Sequence, residues 1–242
     1  MVSEILIEDF SSPTHKWKAK NDPVMGGRSE GTVSIDGERG LGIFDGEVVD
    51  VPFLDAPGFI AMETRGGIYP DVSSCRGFLI RVRTTHPYDG YRFGFGTVHV
   101  PGGRFAYGYR ADFDPPLDVF HEVYIPFVDF TSKWDDATGD AIVSCQRDAR
   151  YCPTEESLRN LRTMSFWGEG RNGRVHLEIM SISGAQCDSS SSSSDEKFAS
   201  RYFSEVKEYT SIRRTIVPSW VSVPVAIVAL VALLRLVSKR RA

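Results

Sequence analysis

Cysteine is scarce in this chain: there are 4, at positions 75, 145, 152 and 187, and none forms a Cys-x-x-Cys pair. Met1 to Phe10 carries three acids, no base and no apolar run, so no signal peptide is read there. No Asn-x-Ser/Thr glycosylation acceptor occurs either. Together these absences predict reduced thiols on the cytosolic or organelle-interior side of a membrane. Cys145 and Cys152 are the pair to test for zinc, and the expectation is plain thiols with no metal. The body also lacks basic charge. Residues 1–187 hold 19 Lys/Arg against 27 Asp/Glu, which argues against a phosphate-backbone partner. The five histidines are scattered with no second ligand at metal spacing, and no Ser elbow, zincin pair or Cys–His constellation is present. No catalytic residue, metal or cofactor is predicted.

What the chain does have is alternation at period two. Residues 2–10, 32–35, 41–49, 59–64, 78–84, 91–98, 104–113, 119–126, 164–167 and 174–182 read as strands bounded by Gly, Pro, Asp or Asn. The one helical stretch is Thr154 to Leu161, with Thr154 as cap and Glu155 and Glu156 in the first turn. No βαβ alternation appears, so the body is all-β, a sandwich or barrel. Gly168 to Gly173 spells a dinucleotide fingerprint. Residues 174–179 alternate like a strand where a helix is needed, and the segment reads as a hairpin turn.

Composition breaks after residue 187. Residues 188–197 include six consecutive serines and read as a flexible linker. Phe198, Tyr202, Val206 and Tyr209 then fall at helical spacing, an amphipathic helix over 198–214. Ile216 to Leu234 is free of charge and extends through Arg235 to Val237. It matches the ~20 residues that cross a bilayer, so 216–237 is predicted to be a tail anchor. Arg213-Arg214 and Lys239-Arg240-Arg241 flank both ends and fix no orientation.

The chain is organised around Asn21-Asp22-Pro23-Val24-Met25-Gly26-Gly27-Arg28-Ser29, just downstream of Trp17. A turn-initiating Asn-Asp-Pro and a Gly-Gly pair describe a fixed loop, either a rigid corner of the sandwich or a binding surface. Trp17, Asn21, Asp22, Met25, Gly26, Gly27 and Arg28 are the predicted partner-binding residues. Asp22 and Arg28 offer contacts, Met25 an adaptable apolar surface, and the glycines fix the loop. Two aspartate groups, 112/114/118 and 135/136/140, read as solvated acidic loops. Among the aromatics, Tyr91, Phe93 and Phe95 share one face. Phe105, Tyr107 and Tyr109 share another, left open between core and a surface for carbohydrate or a partner segment.

These motifs resemble the complex I intermediate-associated protein 30 family. Trp17 with Asn21 to Ser29 resembles its opening, Gly58 to Ala61 its Gly-Phe-Ala segment, and Gly77 to Arg83 with Asp89 to Tyr91 its Leu-Arg-Val-Arg and Asp-Gly stretch. Val123 to Phe130 is similar to its Ile-Pro-Phe signature, and Gly173 to Ile179 with Ile182 to its closing strand. The resemblance spans residues 8–184. It implies a galactose-binding-like jelly roll in residues 1–187 and a non-catalytic assembly role, binding membrane-arm intermediates of mitochondrial NADH:ubiquinone oxidoreductase. The acidic N-terminus lacks the Arg-rich transit peptide of mitochondrial members, and the linker and anchor lie outside the family's pattern. The alternative reading is a membrane-tethered carbohydrate-binding module using Trp17 or the Tyr107/Tyr109 face. An oxidoreductase using Gly168 to Gly173 is a third.

Overall fold

The computed structural model of the protein describes residues 3–22, 26–64, 66–97 and 108–188. Thirteen strands run through them in chain order. They are β1 (Ser3–Asp9), β2 (Trp17–Asn21), β3 (Glu30–Asp36), β4 (Leu41–Val48), β5 (Asp50–Val51), β6 (Ala56–Pro57) and β7 (Phe59–Thr64). There follow β8 (Gly77–Thr84), β9 (Tyr91–Gly96), β10 (Tyr109–Asp112), β11 (His121–Pro126), β12 (Thr163–Glu169) and β13 (Gly173–Cys187). Among the described residues one short α-helix, α1 (Glu155–Arg159), precedes β12. Thr154 Oγ1 accepts from the Ser157 amide and Ser157 Oγ accepts from the Thr154 amide, a capping box that fixes its start.

Eleven of the strands form two large sheets, and β5 and β6 pair as a separate hairpin. The larger has the order β11-β8-β13-β4-β3, with β1 also on β13, and the smaller has the order β10-β9-β12-β7-β2. The long β13 explains the larger sheet. Its first half pairs with β4 (Gly173↔Val48 to Ile179↔Gly42) and its second half with β1 (Asp9↔Ser181 to Ser3↔Cys187), while β8 runs along it from residue 177 to 185. Register slips between Ile179 and Ser181, and there the Met180 carbonyl accepts from the Phe10 amide. The bulge thus hands one edge of β13 from β4 to β1.

Alternating apolar side chains close the space between the sheets. Phe78 of the larger sheet sits edge-on to Phe93 and Phe95 of the smaller, and to Phe127 and Phe130, at centroid distances of 5.1–5.7 Å. This aromatic packing adds specific geometry to the area buried. Tyr91, Phe93 and Phe95 face the core as their shared parity predicts, and all are buried. Tyr109 joins them: it pairs with Phe95 across the strands, and the rings stack at 5.1 Å. The face left open for it is core. Phe105 and Tyr107 lie outside the described residues.

Three expectations change. The cysteines are not thiols: Cys75 bonds Cys187 and Cys145 bonds Cys152. Cys75 leads into β8 and Cys187 ends the neighbouring β13, so pairing 112 residues apart in sequence is invisible to local spacing. Gly168 to Gly173 is not a hairpin. Its flanking strands belong to different sheets, and it is the corner where the chain crosses between them. Trp17 and Asn21 lie in a strand, β2, that the alternation pattern placed in no element. The predicted linker, amphipathic helix and membrane span fall almost wholly outside the described residues. Among the described residues no helix is long and apolar enough to cross a membrane.

Candidate functional site

The glycine-rich loop is a corner that joins the two sheets, from the end of β2 to the start of β3. Its inner side is tied down. Ser29 is buried, its Oγ donating to the Val49 carbonyl at 3.2 Å and accepting from the Val49 amide at 3.1 Å. Asn21 Oδ1 accepts from the Gly31 amide at 3.0 Å. Asp22 is buried against two glycines: a Cβ at Gly27 would stand 2.7 Å from its Cγ, and one at Gly58 would stand 2.6 Å from its Oδ2. Gly26 has φ +82° with open space around it, so conformation rather than room selects glycine there. The outer side, with Asn21, Gly26 and Arg28, is exposed. Met25 lies outside the described residues.

Of the predicted partner-binding residues, Trp17 and Asp22 act from inside. Trp17 is only 8% exposed, packs on Phe10 and Phe166, and donates from Nε1 to Glu8 Oε2 at 2.9 Å. Its ring fills the core at the end of β2 away from the corner. Glu8 is a knot that sequence reasoning missed. Besides Trp17 it takes the Thr14 amide at 2.8 Å and His15 Nδ1 at 2.9 Å, while His15 stacks on Tyr69. A carboxylate in an alternating strand gives no sequence signal of such convergence.

The corner has a neighbour. The β5–β6 hairpin follows Val49, the residue Ser29 grips, and ends at Gly58, against which Asp22 packs. Its tip carries Phe53, 75% exposed, and the exposed Leu54. Arg28, Phe53 and Leu54 are therefore presented by two loops whose bases are fastened together.

A second cluster lies on the face of the smaller sheet that points away from the core. Arg110 is buried, its guanidinium 3.5 Å from the Trp134 ring centroid and 3.9 Å from that of Trp167. Arg110 Nη1 donates to Glu169 Oε1 at 2.6 Å. Burial pushes Glu169 up and Arg110 down, each partly restored by the other. Residues 131–143 form a strap over this pair: Thr131 bridges Arg110, Gly139 rests on the Glu169 side chain, and Asp140 meets Arg92 at 2.8 Å. Asp112 also pairs with Arg92, at 3.0 Å. Of the predicted solvated aspartates, Asp140 thus fastens the strap, while Asp112 ties β10 to β9. Among the described residues no group of three or more His, Cys, Asp or Glu could hold a metal ion.

With the corner, hairpin and strap in place, the family can be assigned. The sequence model of the complex I intermediate-associated protein 30 family matches residues 8–142, more than half of the chain. The chain belongs to the complex I intermediate-associated protein 30 family. The matched span of this family member includes the corner, the hairpin and most of the strap. No curated protein sequence matches it. Among solved structures it is similar to a family 11 carbohydrate-binding module from Clostridium thermocellum in complex with a β-1,3-1,4-mixed-linked tetrasaccharide. The two are 13% identical with a TM-score of 0.50, covering 76% of this chain and 95% of that one. The family 11 module of the cellulosomal cellulase Lic26A-Cel5E of the same organism is 12% identical, with a TM-score of 0.49 and the same coverage. The first likeness is one of fold alone. The carbohydrate reading rested on Trp17 and the Tyr107/Tyr109 face; Trp17 is buried and Tyr109 packs on the core. The oxidoreductase reading needed a helix after Gly173, and β13 stands there.

Proposed function

We propose that this sandwich is a non-catalytic binding protein in the assembly of respiratory complex I, engaging subunits or intermediates of the membrane arm. The observation that carries the reading is the family match over residues 8–142. The corner and hairpin suit it: a fixed scaffold presents Arg28, Phe53 and Leu54 outward, an apolar pair beside a cation, and rigid presentation lowers the entropic cost of association. Asn21, Gly26 and Gly27 shape that surface, Asp22 holds it from below, and Trp17 anchors the other end of β2 in the core. The sequence over 216–237 supports attachment to a membrane, the family match supports a mitochondrial one, and tethering there raises the effective concentration of a weak binder. The two disulfides support placing the sandwich on the side where cystines persist. The test is to express the full chain tagged at Met1, locate its membrane and identify what co-purifies. Recovery of NADH dehydrogenase subunits from a mitochondrial membrane is expected. Recovery from another membrane without those subunits overturns the assignment to complex I.

A further inference from the structure

A cleft of about 510 Å³ opens between the segment that follows β8 and the segment that follows β10. It is remote in sequence from the corner and hairpin. Pro87 and Tyr88 form one wall, Pro115, Pro116 and Leu117 the other, and Asp89 and Asp114 supply the charge. We infer that this cleft is a docking site for an arginine side chain of a partner protein. The inference goes beyond the complex I reading: it names the chemistry the sandwich recognises at a second surface and holds whichever client supplies it.

Three observations carry it. First, the cleft is built in advance. The Thr84 amide donates to the Pro116 carbonyl at 2.9 Å and the Asp118 amide to the Thr84 carbonyl at 2.7 Å, which fixes the second wall to the end of β8. Asp118 takes a left-handed φ of +61° to make that bond, a conformation kept only where surroundings impose it. Tyr88 Oη donates to the Arg171 carbonyl at 2.9 Å, holding its ring in the first wall. Proline walls add no rotamer entropy to be lost on binding. Second, the lining combines flat or ring-like apolar surface with carboxylates and, among the described residues, contains no basic side chain. Asp89 is 81% exposed and stands 3.7 Å from Arg171 at the margin, a loose pairing that a better-placed cation can displace. Third, the charge is complementary: residues 1–187 hold 27 acids against 19 bases, which favours cationic segments as partners. A guanidinium suits such a site better than an ammonium, because it is planar, weakly hydrated, stacks on rings and pairs with carboxylates through a fork. Its aliphatic stem would lie on the prolines and Leu117.

The test is hydrogen–deuterium exchange of the full chain with N-acetyl-arginine amide as probe. N-acetyl-citrulline amide, of the same shape without the charge, is the control. Arginine should slow exchange in peptides covering 84–89 and 113–118, saturating at roughly millimolar concentration as one side chain allows. Citrulline should give at least threefold weaker protection, and Asp89→Asn and Asp114→Asn should each weaken arginine binding about threefold or more. Equal protection by citrulline would mean that the carboxylates do not recognise charge, and the inference falls. Equal protection of acidic residues 135–140 or 50–55 would mean general attraction rather than a site, and would overturn it as well. Each variant is checked by its thermal midpoint, so misfolding cannot mimic lost binding. Because the probe requires no client, failure here leaves the complex I reading standing, and failure to recover subunits leaves this one standing.

Discussion

Arg110 and Glu169 meet at 2.6 Å in a place almost without water, the guanidinium flanked by two indoles and the carboxylate under Gly139 of the strap. A buried pair of this kind adds little net stability, because desolvating both charges offsets their attraction, but breaking it is costly. Glu169→Gln should therefore destabilise the fold by about 3–5 kcal/mol. Arg110→Met with Glu169→Leu should cost much less than the two single changes added together. Urea unfolding of the wild type, Glu169→Gln, the two single changes and the double variant measures this. A double variant as unstable as that sum would mean that the two charges are not energetically coupled, and would overturn this reading.

The corner gives a prediction that separates shape from contact. A Cβ at Gly27 would stand 2.7 Å from Asp22 Cγ, so Gly27→Val should cost about 1–3 kcal/mol through overpacking and should also abolish client recovery. Arg28→Glu with Phe53→Ser changes only exposed groups and should leave stability within about 0.5 kcal/mol. If that variant still recovers client subunits at wild-type levels, the corner and hairpin are a structural device alone.

Stability should fall with acid in a way traceable to Glu178. Burial is the largest single effect and opposes its charge, and the strongest answer to it is the hydrogen bond from Arg83 Nε at 2.6 Å. Helped by the charges of Arg83, Arg39 and His176, it holds the carboxyl below the usual range. A depressed folded value means that the stabilisation is complete above the unfolded value of about 4.3 and fades as pH falls through the folded one. Glu178→Gln should lower stability at neutral pH and flatten the decline below about pH 4.3, as read from urea midpoints across pH.

Cys75 and Cys187 close a loop of 112 residues in sequence separation. Removing so long a constraint should cost about 4 kcal/mol, or roughly 8–16 °C in the thermal midpoint of a domain this size. Paired Cys75→Ser and Cys187→Ser, or reductant, should produce that loss. Cys145→Ser with Cys152→Ser, spanning 7 residues, should cost less. Equal losses would mean that strain rather than loop closure governs both.

Many of the strand positions were legible because period-two alternation reports which face is buried; Gly77–Thr84 is a clear instance. The corner was legible for a different reason: Asp22, Gly27 and Ser29 act within a few residues of one another. What escaped was long-range. Arg110 finds Trp134, Trp167 and Glu169 across the chain, Asp140 finds Arg92, and Cys75 finds Cys187. Each looked like an ordinary solvated or unpaired residue, since only the sheet order brings its partner near. Trp17 misled in the other direction: its nearness to the corner suggested a contact surface, while strand parity turned it into the core beside Phe10.

The link between Cys75 and Cys187 also sets how the domain bears load. Cys187 is the last residue of β13, whose end is paired with Ser3 on one side and runs beside β8 on the other. A tug on the chain beyond Asp188 would, with hydrogen bonds alone, unzip β13 from β1 one rung at a time. With the covalent link, tension passes at Cys187 into the root of β8, and two neighbouring strands in the middle of the larger sheet must give way together. Whatever pulls on the far end of this protein pulls on a riveted seam.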